Sequence, residues 1–366
     1  MRNEADRPRW KRLLEREPRH RLLYAVGAPA GMSIDCAGIA GEHGGGAGTA
    51  DDGGLVIVWP GSAPEEVFLE IVERLGERAA VVGMASIELG GRLDPIELFD
   101  AALRWARVGA TKRAPGVFSQ AGAIDEALRE GWITTVFQPI VRSCDGRVIG
   151  YEALVRGREG ELRSAPDLLN AALAADRMAD LSARIRRRAV EGIEGAGPDD
   201  LLFLNLHPLD LFDPGFVEGD ALQGPLARIS RRVVLEVSER TAIDSLDDVR
   251  EVVGGLRALG FRVAVDDLGS GYAGLTSLVA LEPEFIKLDM SLVRPVVHSA
   301  HTRSLLRAII EFARRVGTQV IAEGVEREEE ARALVDLGCD HLQGFWIARP
   351  AMECVVPGVS LAGRGG

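Results

Sequence analysis

From Thr135 onward the chain repeats one pattern: a short run of β-forming residues, a polar residue at its end, and a stretch with helical periodicity. The runs are Thr135–Val141, Val148–Val155, Leu201–Leu206, Val233–Val237, Arg262–Val265, Phe285–Leu288, Gln319–Ala322 and His341–Ile347. Between them, Pro166–Gly192, Leu246–Leu259, Ser299–Val316 and Glu328–Leu337 carry apolar residues at the spacing of one helix face. Eight β runs with helical crossovers over about 230 residues predict an α/β fold, a closed (β/α)8 TIM-like barrel. The link from Arg142 to Arg147 is too short for a crossover, because parallel neighbours need a dozen or more residues between them. The spacing therefore predicts an antiparallel first strand.

Polar groups sit where the apolar runs stop. Glu152 follows Val148–Tyr151, Asn205 follows Leu201–Leu204, and Glu236 follows Val233–Leu235. Asp266 and Asp267 follow Val263–Val265, Lys287 and Asp289 flank Leu288, Glu323 follows Val320–Ala322, and Gln343 follows Leu342. A single acid at a strand end is ordinarily a surface group or a helix cap. Seven consecutive strands each delivering one or two polar groups to the face where barrel enzymes build their sites is a different matter. Five carboxylates on one rim would repel each other strongly in a medium of low dielectric, and hard divalent cations relieve that repulsion. Carboxylate and amide oxygens suit Mg²⁺ or Mn²⁺; with no His or Cys in the set, zinc is not indicated. The adjacent pair Asp266 and Asp267 could bridge two ions, and two ions roughly 3.5–4 Å apart would clamp a phosphate diester and activate a water. Lys287 would hold that water or neutralise the phosphoryl oxygens, against a plainer reading as a salt bridge to Asp289 or Asp267.

Composition narrows the partners. The net charge of −12 argues against general nucleic-acid binding, which requires a basic surface, so no DNA partner is expected. No apolar run approaches the roughly 20 residues of a membrane helix, and no secretory leader is evident, which predicts a cytoplasmic protein without membrane insertion. Cys36, Cys144, Cys339 and Cys354 are far apart and form no C-x-x-C pair, so neither a disulfide framework nor a structural zinc site is expected.

These residues, in this order, resemble the EAL-domain cyclic-di-GMP phosphodiesterases. The likeness runs from about Ala123 to Ala351. Gln138-Pro139 resembles the opening Q-P, Glu152-Ala-Leu-Val-Arg156 the E-A-L-x-R signature, and Asn205 the asparagine of N-x-S. Glu236–Glu239 is similar to E-x-T-E, Asp266–Tyr272 to D-D-F-G-T-G-Y, and Lys287–Asp289 to K-x-D. Glu323–Glu326 and Gln343–Phe345 match E-G-V-E and Q-G-[YF]. The resemblance implies two Mg²⁺ or Mn²⁺ ions per site, held by Glu152, Asn205, Glu236, Asp266, Asp267 and Glu323. Lys287 would assist catalysis with Glu323, Asp266 and Asp267. Gln138, Leu154, Arg156, Asp289 and Gln343 would contact or orient the dinucleotide. Glu239 would anchor the loop Asp267–Tyr272, which in this family couples the metals to a dimer interface, so a homodimer is implied. The implied reaction is hydrolysis of c-di-GMP to linear pGpG; the alternative is a c-di-GMP receptor that acts through protein contacts without cleavage. His207 replaces the usual serine, Leu268 replaces Phe, and Ser238 and Ser270 replace threonines; none of these removes a presumed ligand. A rim histidine bonded to backbone is the reading preferred for His207.

Residues 1–21 read as a charged arm or helix, 22–119 as a small α/β domain, 123–355 as the barrel and 356–366 as a flexible tail. Within the small domain, Gly41–Gly54 reads as a loop or a degenerated segment, Leu55–Trp59 as a buried strand stopped by Pro60-Gly61, and Pro64–Arg78 and Pro95–Val108 as helices; Ala114–Ala123 reads as a linker. Gly53–Pro60 and the later helix faintly resemble a shortened GGDEF (diguanylate cyclase) domain. Leu55 and Val56 would then stand where cyclases carry acids, and since an alkyl group cannot replace a carboxylate as a metal ligand this argues against cyclase chemistry. An unrelated regulatory domain, through which a partner controls the barrel, is the other reading.

Overall fold

The computed structural model describes residues 7–16, 19–26, 38–49, 55–60, 62, 81–88, 99, 103, 111–112, 119–158, 162–175, 177–207, 210–211, 215–238, 246–269, 278 and 280–358. The chain divides into two compact units, one of residues 1–130 and 158–178, the other of residues 131–157 and 179–366.

The first unit holds a five-stranded antiparallel sheet in the order β2-β3-β1-β4-β5. Its strands are β1 (Arg19–Val26), β2 (Gly46–Thr49), β3 (Leu55–Pro60), β4 (Val81–Glu88) and β5 (Thr111–Lys112). β3 is buried at every position, as its unbroken apolar run requires, and Leu55 and Val56 are interior alkyl groups. The charged arm is a helix from Arg7 to Leu14 whose Trp10, Leu13 and Leu14 are buried at helical spacing. Part of the glycine-dense segment is strand rather than loop. A side chain at Gly48 would come within 2.9 Å of the Trp10 ring, so the absence of a Cβ lets the helix lie on the strand. The predicted linker ends early, because a helix begins at Ser119 and runs to Glu130. The helices expected over Pro64–Arg78 and Pro95–Val108 lie outside the described residues, apart from helical Phe99 and Leu103.

The second unit is a closed eight-stranded barrel in the order β10-β11-β12-β13-β6-β7-β8-β9. Its strands are β6 (Thr134–Arg142), β7 (Val148–Arg156), β8 (Leu201–Asn205), β9 (Val233–Ser238), β10 (Arg262–Leu268), β11 (Phe285–Leu288), β12 (Gln319–Ala322) and β13 (His341–Leu342). β6 is antiparallel to both its neighbours, and the other pairs are parallel. The expected eighth strand stops at Leu342, because Gly344 onward turns: Ile347 and Ala348 donate back to the Gly344 carbonyl. The expected helix Pro166–Gly192 is two helices, Ala165–Ala174 and Met178–Gly192. Its first half belongs to the first unit and its second half, apart from Met178, to the barrel, so the periodicity continued across a division between two bodies.

Side chains alternate across each strand, and in the barrel the inward set is two-layered. Ile140, Leu201, Phe203, Val234, Ala264, Phe285 and Ile321 form a closed apolar floor, with Phe203 and Phe285 edge to face at 5.4 Å. Fully burying each phenylalanine contributes about 1.5–3 kcal/mol. Two residues further along each parallel strand, the same inward direction carries Asn205, Glu236, Asp266, Lys287 and Glu323. In β6, which runs the other way, the polar Gln138 precedes the floor residue Ile140, and Gln138 is paired with Glu152 of β7. A dry floor thus supports a polar mouth.

Candidate active site

Lys287 is the hub of that mouth. It is fully buried, and its Nζ lies 2.6 Å from Glu236 Oε1, 2.7 Å from Glu323 Oε1, 3.3 Å from Glu152 Oε2 and 3.6 Å from Asp266 Oδ1. It does not pair with Asp289, whose carboxylate instead caps the helix Met290–Val293 by accepting from the Ser291 amide at 2.9 Å. The mouth is fixed by backbone bonds that prolong the parallel ladder past the strand ends. Leu206 donates to the Glu236 carbonyl, Glu323 to Leu288 and Gln343 to Ala322.

Glu152 is held from both sides. Asn205 donates to its Oε1 at 2.9 Å and Gln343 to its Oε2 at 2.7 Å. Gln343 also approaches Gln138 Oε1 at 3.4 Å, and Gln138 donates to the Ala348 carbonyl. Burial opposes ionisation of Glu152, but the lysine charge and these two amides hold its pKa below the ordinary value. Glu236 and Glu323 go the opposite way. Burial, then the Glu152 charge, lifts Glu236 well above the carboxylate range despite Lys287. Burial lifts Glu323 to about 8 against the pull of Lys287, with Asp266 and Glu152 adding to the rise. Burial would lower Lys287, but the surrounding acids outweigh it and raise its pKa well above normal. One ammonium cannot balance four carboxylates. At an effective dielectric near 20, each like-charge pair about 5 Å apart costs roughly 3 kcal/mol.

The donor set fits a hard divalent cation. Asp266, Asp267 and Glu323 each offer an oxygen, and the three lie within 4.8 Å of one another. Neither oxygen of the buried Glu236 takes a well-aligned hydrogen bond among the described residues. Asp267 is placed by a backbone turn with φ 59°, and its amide donates to Asp266 Oδ1 at 2.9 Å. That left-handed residue is how two successive acids of one strand reach the same mouth.

A cleft of about 290 Å³ opens beside these acids. Gln138, Glu152, Leu154, Asp289, Glu323 and Gln343 line it, all singled out by the strand-end pattern or the motifs. Met290, Arg294 and Phe345 also line it and were assigned no role from sequence. Arg294 pairs with Glu326 at 2.6 Å, and the Arg349 guanidinium covers the Phe345 ring at 4.4 Å. The signal for Arg294 was weak: it lies six residues past the end of β11, directly after the short helix Met290–Val293 that only the Asp289 cap reveals. Arg156 turns to the Val155 carbonyl at 2.7 Å and is absent from the cleft lining. His207 is half-buried, and the loss of hydration there pushes its pKa down to about 4. Glu239 and Ser270–Tyr272 lie outside the described residues.

Fold and mouth together define a (β/α)8-type barrel with an acid-and-lysine centre under an open cleft. The EAL domain model matches residues 121–350, and the chain belongs to that family. Among relatives, the bifunctional diguanylate cyclase/cyclic di-GMP phosphodiesterase MucR of Pseudomonas aeruginosa is 29% identical over 234 residues, covering 62% of this chain and 34% of MucR. A cyclic di-GMP phosphodiesterase of the same organism is 30% identical over 265 residues, covering 69% of this chain and 45% of that protein. The solved c-di-GMP complex of the PaMucR phosphodiesterase is 27% identical with a TM-score of 0.58, covering 64% of this chain and 97% of that one. The chain thus spans less than half the length of these two curated relatives.

Proposed function

We propose that the chain hydrolyses one phosphodiester of c-di-GMP to give linear pGpG, using two Mg²⁺ or Mn²⁺ ions. The observation that carries this reading is the buried surplus of negative charge around Lys287, facing a cleft large enough to admit part of a phosphate diester. Glu152, Asn205, Glu236, Asp266, Asp267 and Glu323 would hold the ions, which when bound supply Lewis-acid polarisation of the phosphate and a lowered pKa for water. The Lys287 ammonium, fixed by Glu236 and Glu323, would orient the attacking water and offset charge on the phosphoryl oxygens. Gln343 and Asn205 keep Glu152 ionised and in one orientation. Gln138, Leu154 and Asp289 would contact the dinucleotide along the cleft, and Arg156 would reach it by swinging from the Val155 carbonyl.

Support comes from the relatives and from the PaMucR complex. Incubation of purified protein with c-di-GMP and Mg²⁺ or Mn²⁺, followed by chromatography, should show pGpG, with loss of turnover in EDTA and in Glu152→Ala. Intact c-di-GMP after incubation with either metal across a pH series would reject hydrolysis. Recovery of bound, uncleaved nucleotide would instead make the chain a receptor. The reading extends to a cytoplasmic homodimer whose N-terminal region receives a regulatory input, tested by sedimentation and by turnover with and without that region.

A further inference from the structure

The helix Met178–Gly192 sends one charged side chain into the interior. Arg186 is 6% exposed, its Nη1 lies 3.3 Å from Asp210 Oδ1, and its guanidinium covers the Phe216 ring at 4.6 Å. Asp210 is 4% exposed. Its other oxygen accepts from the His207 backbone amide at 3.0 Å, and the Ser182 hydroxyl, one turn before Arg186, also bonds to it. The Asp210 amide returns to the His207 carbonyl at 2.8 Å, closing the turn that follows β8. One residue upstream, Leu206 donates to the Glu236 carbonyl, and Asn205 donates to Glu152. A continuous set of bonds therefore runs from Arg186 through Asp210 and His207 to the amide of Asn205.

We propose that Arg186 is a positioning residue for the acid mouth, acting through Asp210 on the segment Asn205–His207. The proposal rests on the reading of Asn205 and Glu152 as divalent-cation ligands. Burying an arginine and a carboxylate costs desolvation that the pair's mutual attraction only roughly offsets, so a staple of helix to barrel could be made more cheaply from apolar groups. What the charged pair adds is direction. A carboxylate gripped on one oxygen by a planar cation presents the other at a fixed angle, and here that oxygen holds the backbone beside Asn205. Asn205 must turn its nitrogen to Glu152, which leaves its amide oxygen as the atom able to hold a cation. A loose turn would let the amide rotate and lose that arrangement.

The test is a double-mutant cycle read by Mn²⁺ affinity of the full chain, measured by the electron paramagnetic resonance of free Mn²⁺. Arg186→Met should weaken Mn²⁺ binding at least tenfold, and Arg186→Lys, which keeps charge but not the fork, should recover only part of it. In Asn205→Ala the Arg186→Met change should have no further effect, whereas in Asp267→Ala it should retain its full effect. A purely structural pair would lower Tm while leaving Mn²⁺ affinity unchanged, or would weaken it equally in both backgrounds, and either outcome overturns the proposal. If Arg186→Met fails to fold, Asp210→Asn, which keeps an acceptor for the His207 amide, carries the same cycle. Wild-type protein that binds Mn²⁺ without cleaving c-di-GMP would reject hydrolysis and leave this inference intact. Turnover with Mn²⁺ affinity insensitive to Arg186 would do the reverse.

Discussion

At the scale of single residues, the mouth is governed by unequal charge. Lys287 sits among Glu152, Glu236, Asp266 and Glu323 with no access to solvent, so its removal leaves buried acids without their only close cation among the described residues. Lys287→Met should cut turnover by about 10²-fold or more and, in EDTA, lower unfolding free energy by about 3–5 kcal/mol, read from urea titrations. A variant of full stability in EDTA would show that the acids do not depend on the lysine. His341 shows a separate effect of burial. It is nearly inaccessible, its Nε2 meets Gln319 Oε1 at 2.6 Å, and burial lowers its pKa to about 4. The folded pKa lies below the unfolded value of about 6.5, so between those two pH values the unfolded chain binds more protons. The contribution of His341 to stability should therefore rise with pH from about 4 to about 6.5 and level off above, by roughly 3 kcal/mol, against the opposite slope of carboxylates such as Glu323 whose pKa burial raises. His341→Gln should flatten that part of the profile, and an unchanged slope would assign it to other groups. The identities of these side chains were legible in the sequence, since strand-end position alone selected the acids and Lys287. Their partners were not. The plain sequence reading set Lys287 against Asp289 or Asp267, and its actual partners, Glu152, Glu236, Asp266 and Glu323, come from the ends of four other strands.

At the scale of elements, the eight barrel runs were legible because alternation and short apolar runs are local properties. Phe285–Leu288 and Gln319–Ala322 stand where the pattern put them, and the antiparallel β6 follows from one short connection. The errors fall where a non-local contact decides. Gly46–Thr49 became a strand because β3 and the Trp10 ring are there to pair with it, and the run from Pro166 broke where two bodies divide. The end of β13 is a further case. A Cβ on Gly344 would collide with the Val325 carbonyl oxygen and amide nitrogen. Val325 and Gln343 are joined by a backbone bond of 3.0 Å, so this close approach sets where Gln343 meets Glu152. Gly344→Ala should cost more than about 2 kcal/mol of stability and lower turnover in the protein that remains folded. Denaturant titration and steady-state rates test this, and a neutral result would mean that the turn yields without moving Gln343.

At the scale of the whole molecule, two compact bodies share one chain that crosses between them more than once. The helix Ala165–Ala174 groups with the first unit and keeps Leu168, Ala171 and Ala172 buried. A chain beginning at Ser119 should therefore expose that apolar face, bind a hydrophobic dye and melt at lower temperature than the full chain. Equal Tm without dye binding would show that the barrel covers the helix by itself. Among the described residues no helix is long and apolar enough to cross a membrane. A site relieved by cations should also report on them globally. Mn²⁺ at 100 times its dissociation constant should stabilise the fold by about 2.7 kcal/mol, seen as a rise in Tm that EDTA reverses.

The sequence by itself determined the barrel, its one reversed strand and the side chains offered to its mouth, because periodicity, connection length and strand-end position are written along a few residues at a time. Which oxygen faces which ammonium, how Asp267 turns inward, and where the chain divides into bodies were decided only by closure of the sheet. Closure brings together groups as far apart in the chain as Gln138 and Gln343, and the balance of buried charge exists only once they meet.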